Sequence, residues 1–455
     1  MRPKIIPPKP RTRAQKVPFW THMRLFKRDI FMAQPQRLYR AWMAEMRLPR
    51  YRSYFVNDPK LINLVLKERP SDFPKSELIS ASLASLLGRG VFVSNGALWE
   101  SQRRIIDPAF EGGRLRHSFH AIQQAALDAT TRITPNQIVD VEAQSSLIAA
   151  DIIFRTLFSI PISNQIAADT YRDFKTYQRV QPLMNLGVLL GMRRIIPWVQ
   201  SRKAKKAGRA IRHHLRHLTD LRRQQIEKNT APDDLATKIM TTPDPETGAC
   251  FSPEDMVDQV AIFFLAGHET SASALSWALY LLALDPECQE RVYAEVSKAA
   301  TGDRLEFSEL SNLAYTRNVF KETLRLYPPV PMMVRETSAP EILRERAVKV
   351  GSQVVLSPWH LHRHERLWDR PDEFDPDRWD NAETKRCARD AYMPFSNGPR
   401  VCPGAGFAMI EGVVLLYWLV KTFEIQQADD VPPIPVAHLT VRSKDGIRLR
   451  FIPRR

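Results

Sequence analysis

The chain has 455 residues, of which 44% are hydrophobic and 25% are charged, and its formal net charge is +16. This composition is that of a globular protein whose core is large enough to enclose a cofactor. The four cysteines include no Cys-x-x-Cys pair, which excludes a zinc knuckle or a disulfide framework and indicates a reducing compartment. The positive charge favours acidic partners, but no nucleic-acid-binding module accompanies it, so we expect no nucleic-acid partner.

The N-terminal segment is basic and rich in proline, and it lacks the apolar core of a secretory signal. We therefore expect residues 1–25 to form an extended tail and residues 26–455 to form a single domain. No run reaches the roughly 18 apolar residues that a membrane span needs. The sequence thus predicts a cytoplasmic monomer without a transmembrane anchor.

Helical spacing of apolar residues prevails from about 95 to 330, and a last apolar helix is predicted at about 404–423. A helix is also expected from residue 60. Short strands are predicted near 54–56, 137–141, 348–350, 354–356 and 447–450. These elements predict a mostly α fold with a minor β portion, which is α+β in broad terms.

The clearest helix begins after Ser252, a good N-cap that is followed by Pro253 and two acids. Its pattern continues to Asp285, which gives a length of roughly 50 Å at 1.5 Å per residue. Much of its circumference is apolar. We therefore expect this helix to cross the interior of the protein.

Cys402 lies in the run Phe395–Gly404, FSNGPRVCPG, just before the last apolar helix. Gly398 and Gly404 allow a tight backbone path, and the first N–H groups of the helix favour a thiolate. A lone cysteine is most often a buried structural residue.

Glu322 and Arg325 lie three residues apart on one predicted helix face, in the run KETLR. Alone, such a pair is a routine surface contact of little energy. About 50 residues later comes the run FDPDRW, which contains Arg378.

Two further runs carry candidate chemistry. Ala266–Thr270, AGHET, falls in the middle of the long helix, where Gly267 loosens the helix and Thr270 can bond back to a carbonyl one turn earlier. In the run WESQR, Trp99 and Arg103 lie one turn apart, with a forked guanidinium suited to a carboxylate. The simpler interpretations are a buried carboxylate pair and an amphipathic helix.

Taken in their order along the chain, WESQR, AGHET, KETLR, FDPDRW and FSNGPRVCPG, these five runs resemble the motifs of the cytochrome P450 family. The resemblance extends from about residue 30 to the C-terminus. It implies the cytochrome P450 fold, with a long central helix over a buried haem b and Cys402 as the axial ligand of the iron. It also implies an O2-dependent monooxygenase, an oxidoreductase. The pair formed by Glu269 and Thr270 supports this activity, because Thr270 is expected to hydrogen-bond the reacting oxygen and Glu269 to relay protons.

The resemblance also assigns residues around the cofactor. The residues expected to contact the haem are Trp99, Arg103, Ala266, Arg335, Phe395, Arg400, Cys402 and Gly404. Of these, the tryptophan and the three arginines are expected to hold the propionates. The buried network that fixes the scaffold of the cysteine loop is expected to comprise Glu322, Arg325 and Arg378.

The substrate is expected on the haem face opposite Cys402, as an apolar small molecule such as a fatty acid, terpenoid or steroid-like compound that is hydroxylated or epoxidised. The expected walls are residues 73–93, 170–200, 259–270, 328–334 and about 437–441. The residues expected nearest the iron are Leu265, Ala266, Val330 and Met332.

No flavin-like or ferredoxin-like segment occurs in the chain. Electrons are therefore expected from a separate ferredoxin or flavodoxin, which is itself reduced by an NAD(P)H-dependent reductase. Two other functions remain open at this point. One is a relative that uses peroxide or isomerises its substrate, and the other is a non-catalytic haem protein such as a gas sensor.

Overall fold

The structure of the protein is a computed structural model that describes residues 4–13, 17–47, 52–180, 202–300, 302, 304–437 and 439–454. Most of the described chain is helical. The α-helices are α1 (Phe19–Arg28), α2 (Pro59–Asn63), α3 (Glu77–Leu87), α4 (Gly96–Ile106), α5 (Arg114–Arg132), α6 (Val141–Phe158), α7 (Gln165–Val180), α8 (Arg202–Glu227), α9 (Leu235–Thr241), α10 (Pro253–Leu284), α11 (Pro286–Ala299), α12 (Ala314–Leu326), α13 (Pro358–Leu361), α14 (Ala382–Ala391) and α15 (Ala405–Thr422).

The β portion is small. The strands are β1 (Met43–Arg47), β2 (Arg52–Val56), β3 (Ile138–Asp140), β4 (Met333–Glu336), β5 (Glu341–Leu343), β6 (Arg346–Val348), β7 (Gln353–Leu356), β8 (Phe423–Gln427), β9 (Pro435–Ala437), β10 (Val441–Ser443) and β11 (Arg448–Pro453). The largest sheet has the order β1-β2-β7-β4, in which only β2 and β7 run parallel. A second sheet has the order β3-β11-β8, and two hairpins complete the set. The α+β prediction is confirmed.

Helix α10 organises the interior. Ser252 caps its start, because the hydroxyl oxygen accepts from the N–H of Asp255 at 3.2 Å. Its first part, up to Leu265, packs in one core cluster, and its last part, from Ala274, packs in a second cluster with α5 and α15. The segment between the two clusters contains the AGHET run. The predicted crossing of the interior is confirmed, with 32 residues in one helix.

The N-terminal segment differs in part from the expected extended tail. Residues near Pro8 are extended and packed, since the carbonyl of Ile5 accepts from the N–H of Phe374 and the carbonyl of Pro8 accepts from the Tyr327 hydroxyl. Helix α1 then begins after Pro18, within the range predicted to be extended. The prolines that prevent a helix end at this residue, and the amphipathic run FWTHMRLFKR that follows contains none.

Helix α15 corrects a second expectation. By length and composition Ala405–Thr422 is apolar enough to cross a membrane, with 18 residues and a mean hydropathy of 1.4. No segment apolar enough for a membrane span had been expected from the sequence. In the protein 61% of this window is buried, and Leu416, Tyr417 and Val420 lie in the core cluster that also contains the end of α10.

A buried ion network fixes the region below the cysteine loop. Both oxygens of Glu322 accept from Arg325, at 2.7 and 2.9 Å, and Arg378 donates to the same carboxylate at 2.8 Å. The indole of Trp379 and the N–H of Asp375 complete its hydrogen bonds at 3.1 Å each. Burial works to raise the pKa of Glu322, but the two guanidinium groups hold it below its ordinary value. The predicted association of the three charged residues is therefore present in the structure.

The network reaches the cysteine loop through a neutral imidazole. Burial and the nearby charge of Arg325 lower the pKa of His362 to about 3. The Nδ1 of His362 lies 3.2 Å from the carbonyl of Arg325, and its Nε2 accepts from the N–H of Met393 at 2.9 Å. Two residues further, the carbonyl of Phe395 accepts from the N–H of Cys402 at 2.9 Å. The position of the loop thus depends on the ion network.

Replacing Glu322 with Gln leaves two buried guanidinium groups without a counter-charge. We expect the free energy of unfolding, measured by denaturant titration, to fall by about 3–5 kcal/mol. Asp220 is the matched control, because it pairs with Arg223 at the same spacing on an exposed helix face, at 3.0 Å. Asp220→Asn should cost less than about 1 kcal/mol. Similar losses in the two variants would contradict the assigned role of the network.

Candidate haem site

The cysteine loop is shaped by one close backbone approach. Residues Gly398–Arg400 form a single 3-10 turn, and Asn397 accepts from the N–H of Gly398 at 2.9 Å. Gly398 has a φ of +69°, and a Cβ there would overlap the carbonyl oxygen of Leu66. Only glycine satisfies both conditions. Helix α15 begins directly after the loop, so its free N–H groups lie beside Cys402.

From the accessibility and the surroundings of the Cys402 thiol we infer an internal hollow beside it. The side chain of Cys402 is accessible, yet burial is the main cause that raises its pKa. Both observations hold when a sulfur is surrounded by protein and still faces an open space. The N–H of Gly404 and the charge of Arg103 oppose the rise, because each stabilises the thiolate. These two groups would favour the thiolate once a metal is bound.

Arg103 and Arg400 connect helix α4 to the cysteine loop. Arg103 donates to the carbonyl of Val401 at 2.7 Å. Arg400 donates to the carbonyl of Ser94 at 3.1 Å and to Asn95 Oδ1 at 2.9 Å, and its guanidinium lies 4.1 Å from the ring centre of Trp99. The structure therefore brings together the tryptophan and two arginines that the sequence placed at the propionates.

Two further cations belong to this group. Arg335 on strand β4 is 5% exposed, and burial lowers its pKa to about 10. Lys75 pairs with Arg335 through an isolated backbone bridge, and its ammonium group donates to the carbonyl of Phe92. Burial first, and then the charges of Arg335, Arg400 and Arg103, lower the pKa of Lys75 well below its ordinary value.

The cluster formed by Lys75, Arg103, Arg335 and Arg400 has an excess of positive charge. Among the described residues, no carboxylate forms an ion pair with Lys75, Arg335 or Arg400, whereas Arg103 pairs with Asp107. Buried cations of this kind are unfavourable unless an anion compensates them. Two carboxylates that enter the hollow next to Cys402 would supply that charge, as the propionates of haem b do.

One stripe of helix α10 is accessible inside the protein. Ala266 is exposed although it lies in the middle of a helix that is otherwise largely buried, and Phe263, Gly267 and Thr270 are partly accessible on the same face. These positions follow the helical spacing of three and four residues. The Phe263 ring lies 5.8 Å from that of Phe110, centre to centre.

The two ends of this stripe lie near the cysteine loop. The Phe110 ring is adjacent to Gly404, since a Cβ there would lie 4.0 Å from it. At the other end, Thr270 and Phe395 line one small cavity. We infer that the stripe borders the same hollow as the thiol of Cys402. The Thr270 hydroxyl donates to the carbonyl of Ala266 at 2.6 Å, which is the predicted bond to the preceding turn.

Glu269 points to a different set of partners. Its carboxylate accepts from Arg442 at 2.6 Å and from Thr440 at 3.1 Å, and Gln178 donates to its other oxygen. The side chain is 6% exposed. The structure thus places Glu269 in the buried pair that was its simpler interpretation. A role in proton relay remains a prediction.

His268 is held by aromatic neighbours. Its imidazole stacks on Phe264 at an angle of 14° and lies 2.9 Å from the hydroxyl of Ser146. Burial, and to a smaller extent Arg442, lower its pKa to about 3, so the ring is neutral. The contacts of His268 are therefore local and structural.

The residues expected nearest the iron differ in their accessibility and packing. Ala266 lies on the accessible stripe, whereas Leu265 is 5% exposed and packs in the core cluster. Val330 is partly accessible, and the sulfur of Met332 accepts from Gln34 at 2.9 Å. Of the expected walls, residues 181–200 lie outside the described residues, and so does residue 438.

Lys75 and Glu411 are two residues of this region that were not predicted from the sequence. Lys75 is far from every motif, and no signal in the sequence marks it. Glu411 is buried in helix α15, where the run AGFAMIEGVVLLYWLV contains one acid among apolar residues. A lone acid in an apolar helix is a signal that could have identified it.

An accessible thiol, a cluster of buried and half-buried cations and an accessible helix stripe together suit a haem bound through a thiolate. The family model of cytochrome P450 matches residues 14–451. Similar proteins include cyclooctatin synthase of Streptomyces melanosporofaciens, 29% identical over 425 residues that cover 90% of this chain and 88% of that protein. Cyclooctat-9-en-7-ol 5-monooxygenase of the same organism is 29% identical over 389 residues, covering 84% and 82%. Cytochrome P450 4A24 of Sus scrofa is 30% identical over 419 residues, covering 87% and 81%.

The chain belongs to the cytochrome P450 family. It is a haem-thiolate monooxygenase, an oxidoreductase whose cofactor is haem b. The residues present fit this cofactor, because they supply a thiol and uncompensated cations beside one hollow. Haem b, when bound, supplies the iron that activates O2.

Arg335→Gln tests the cation cluster. Loss of one charged hydrogen bond, about 1.5–3 kcal/mol, should weaken haem binding by the apo-protein by about 10- to 100-fold. The stability of the apo-protein should not fall, because the variant removes a buried charge without an anionic partner. Arg346→Gln on the exposed strand β6 is the control and should bind haem normally. Unchanged haem affinity in Arg335→Gln would exclude the propionate assignment.

Proposed function

We propose that this monooxygenase hydroxylates or epoxidises an apolar small molecule of the terpenoid, fatty-acid or steroid-like class. The observation that carries the proposal is the stripe of α10, where Phe263 and Ala266 offer an apolar surface and Thr270 a single hydroxyl. An apolar pocket with few polar groups selects an apolar ligand. The names of two relatives refer to cyclooctatin and to cyclooctat-9-en-7-ol, which supports an apolar substrate here.

In this proposal each group of residues in the site has a separate role. Cys402 binds the iron, and the cation cluster holds the propionates. The Thr270 hydroxyl, whose proton is directed to the Ala266 carbonyl, keeps its lone pairs free to accept hydrogen bonds on the stripe. It orients the water and protons that the reaction consumes. Glu269 stabilises the contact of α10 with β10 through Arg442.

Thr270→Ala should separate electron consumption from product formation. A ligand that shifts the spin state of the haem, found in a panel of terpenoids, fatty acids and steroid-like compounds, provides the substrate. With O2 and a reduced donor, the fraction of electrons that end in product should fall by at least about tenfold. Ser276→Ala is the matched control, because Ser276 makes the same bond one turn back on α10, to Ala272 at 2.7 Å.

The alternatives give different results in the same assay. A peroxide-using relative would form product with peroxide alone, and its product formation would not depend on the electron donor. A non-catalytic haem sensor would form no product with either oxidant. Unchanged coupling in Thr270→Ala would contradict the role proposed for this hydroxyl.

We also propose that electrons come from an acidic ferredoxin or flavodoxin in the cytoplasm. The cysteine loop reaches the surface at Val401, which is 37% exposed. Lys67 is exposed beside Gly398 of this loop, and Arg116 is exposed on α5, which packs against α15. These exposed cations offer a positive surface to an acidic partner on this side of the protein. The four free cysteines fit a reducing compartment.

Lys67→Glu should weaken the docking of the donor. We expect the KM for a reduced acidic ferredoxin to rise by about tenfold and the reduction rate to depend less steeply on ionic strength. Lys228→Glu, a charge reversal at an exposed position after α8, is the control. If the reduction rate of the wild-type protein did not change with ionic strength, electrostatic docking would be excluded.

A further inference from the structure

Asp244 is a buried carboxylate in a turn on the protein surface. It lies between α9 and α10, where residues 245–250 are all exposed, yet 0% of the surface of Asp244 is exposed. The turn closes on itself, because the carbonyl of Asp244 accepts from the N–H of Gly248 at 2.8 Å and its N–H donates to the carbonyl of Ala249 at 2.9 Å. A charge is removed from water only where donors compensate it. The partners of this carboxylate therefore indicate what the turn holds.

Helix α4 binds both oxygens of Asp244. Arg104 donates from Nε to Oδ1 at 2.7 Å and from Nη2 to Oδ2 at 2.9 Å, and the Ser101 hydroxyl donates to Oδ2 at 2.6 Å. The N–H of Glu246 donates to Oδ1 at 3.1 Å. The hydrogen bonds from Arg104, and then from Ser101, lower the pKa of Asp244, so the group is charged at neutral pH. A forked contact of this kind fixes the orientation of α4 as well as its distance.

The other side of α4 carries the residues expected at the propionates. Arg103 donates to the carbonyl of Val401 in the cysteine loop at 2.7 Å, and Trp99 lies one turn before it. At 3.6 residues per turn, the pair Trp99 and Arg103 and the pair Ser101 and Arg104 lie on roughly opposite faces of the helix. Asp244 therefore holds α4 from behind the haem site.

A small rotation of α4 would misplace Arg103. Side chains extend roughly 5–6 Å from a helix axis, so a rotation of about 20° would move their ends by about 2 Å. Such a displacement breaks a hydrogen bond. Gln102 resists the rotation from the flank, where its amide donates to the carbonyl of Arg89 at 2.8 Å. Asp244 resists it from the back with an ion pair.

We propose that Asp244 is a positioning residue for the cofactor, which holds Arg104 and Ser101 so that Arg103 and Trp99 on the other face of α4 meet a propionate of haem b. Asp244 itself contacts neither the cofactor nor the substrate. A turn on the surface thus sets the geometry of a contact inside the protein. This inference rests on the proposed contact between Arg103 and a propionate.

Loss of haem from the holoenzyme tests this role. The rate of transfer of haem b to an excess of apomyoglobin should rise about tenfold in Asp244→Asn, which is the size of effect found when a residue that orients the groups around a metal centre is lost. Asp234→Asn is the matched control, because Asp234 caps the start of α9 and forms a buried ion pair with Arg222. This control should lower the Tm without changing the rate of haem loss. An unchanged rate in Asp244→Asn, or an equal rise in both variants, would overturn the proposal.

Arg104→Gln removes the partner instead of the buried acid. If Arg104 and Asp244 act on the haem through one contact, the double variant should lose haem about tenfold faster than the wild type, at the rate of each single variant. Losses that multiply to about 100-fold would show that the two residues act separately, and this result would overturn the proposal.

The reduced holoenzyme supplies a spectroscopic readout. In Asp244→Asn the carbon monoxide adduct should keep the Soret position of a thiolate-bound haem, because the ion network of Glu322 still holds the cysteine loop. The midpoint potential of the iron should become more negative, because a propionate with a weaker cation contact favours the oxidised state. Loss of the thiolate band would place the defect in the cysteine loop and would overturn the proposal.

Arg103→Gln separates the positioning role from the propionate contact on which it rests. Faster haem loss in Arg103→Gln with a normal rate in Asp244→Asn would overturn the role of Asp244 and leave the propionate contact intact. A normal rate in Arg103→Gln would overturn both.

Discussion

The haem site depends on the buried ion pairs that the Glu322 carboxylate forms with Arg325 and Arg378. Removed from water, this carboxylate is stable only because two guanidinium groups and two further N–H donors surround it. The same guanidinium of Arg325 donates to backbone carbonyls of His362 and Pro371. The segment that leads to Cys402 is therefore anchored to a charge pair rather than to a sheet. This explains how an irregular loop can hold a ligand at a fixed place.

The site combines two electrostatic environments a short distance apart. Around Lys75, Arg335 and Arg400, buried positive charge exceeds negative charge, which favours an anionic cofactor. Around Thr270 and Glu411, the lining carries no charge, which favours a neutral acid. One face of the hollow is thus suited to binding the cofactor, and the far end of the stripe to handling protons.

Local patterns predicted the helices well because their signals are local. The cap at Ser252, the long apolar pattern after it and the glycine at Gly398 each describe a short stretch of backbone. The boundaries of α10 and the positions of β2, β3, β7 and β11 followed from such patterns. The strand predicted at 348–350 overlaps β6 only at Val348, and the remaining described strands were not predicted. The tail was predicted less well, because composition alone did not separate its proline-rich part from the amphipathic run beginning at Phe19.

The sequence by itself identified the cysteine loop, the five motifs and the three members of the ion network, since each has a characteristic spacing of residues. Only the tertiary structure decided the partners of individual charges. Glu269 is paired with Arg442, which lies 173 residues away, and Glu411 meets Ser271 from another helix. Whether a carboxylate is charged or neutral depends on the groups that folding brings within a few ångströms. That information is not contained in the spacing of a single segment.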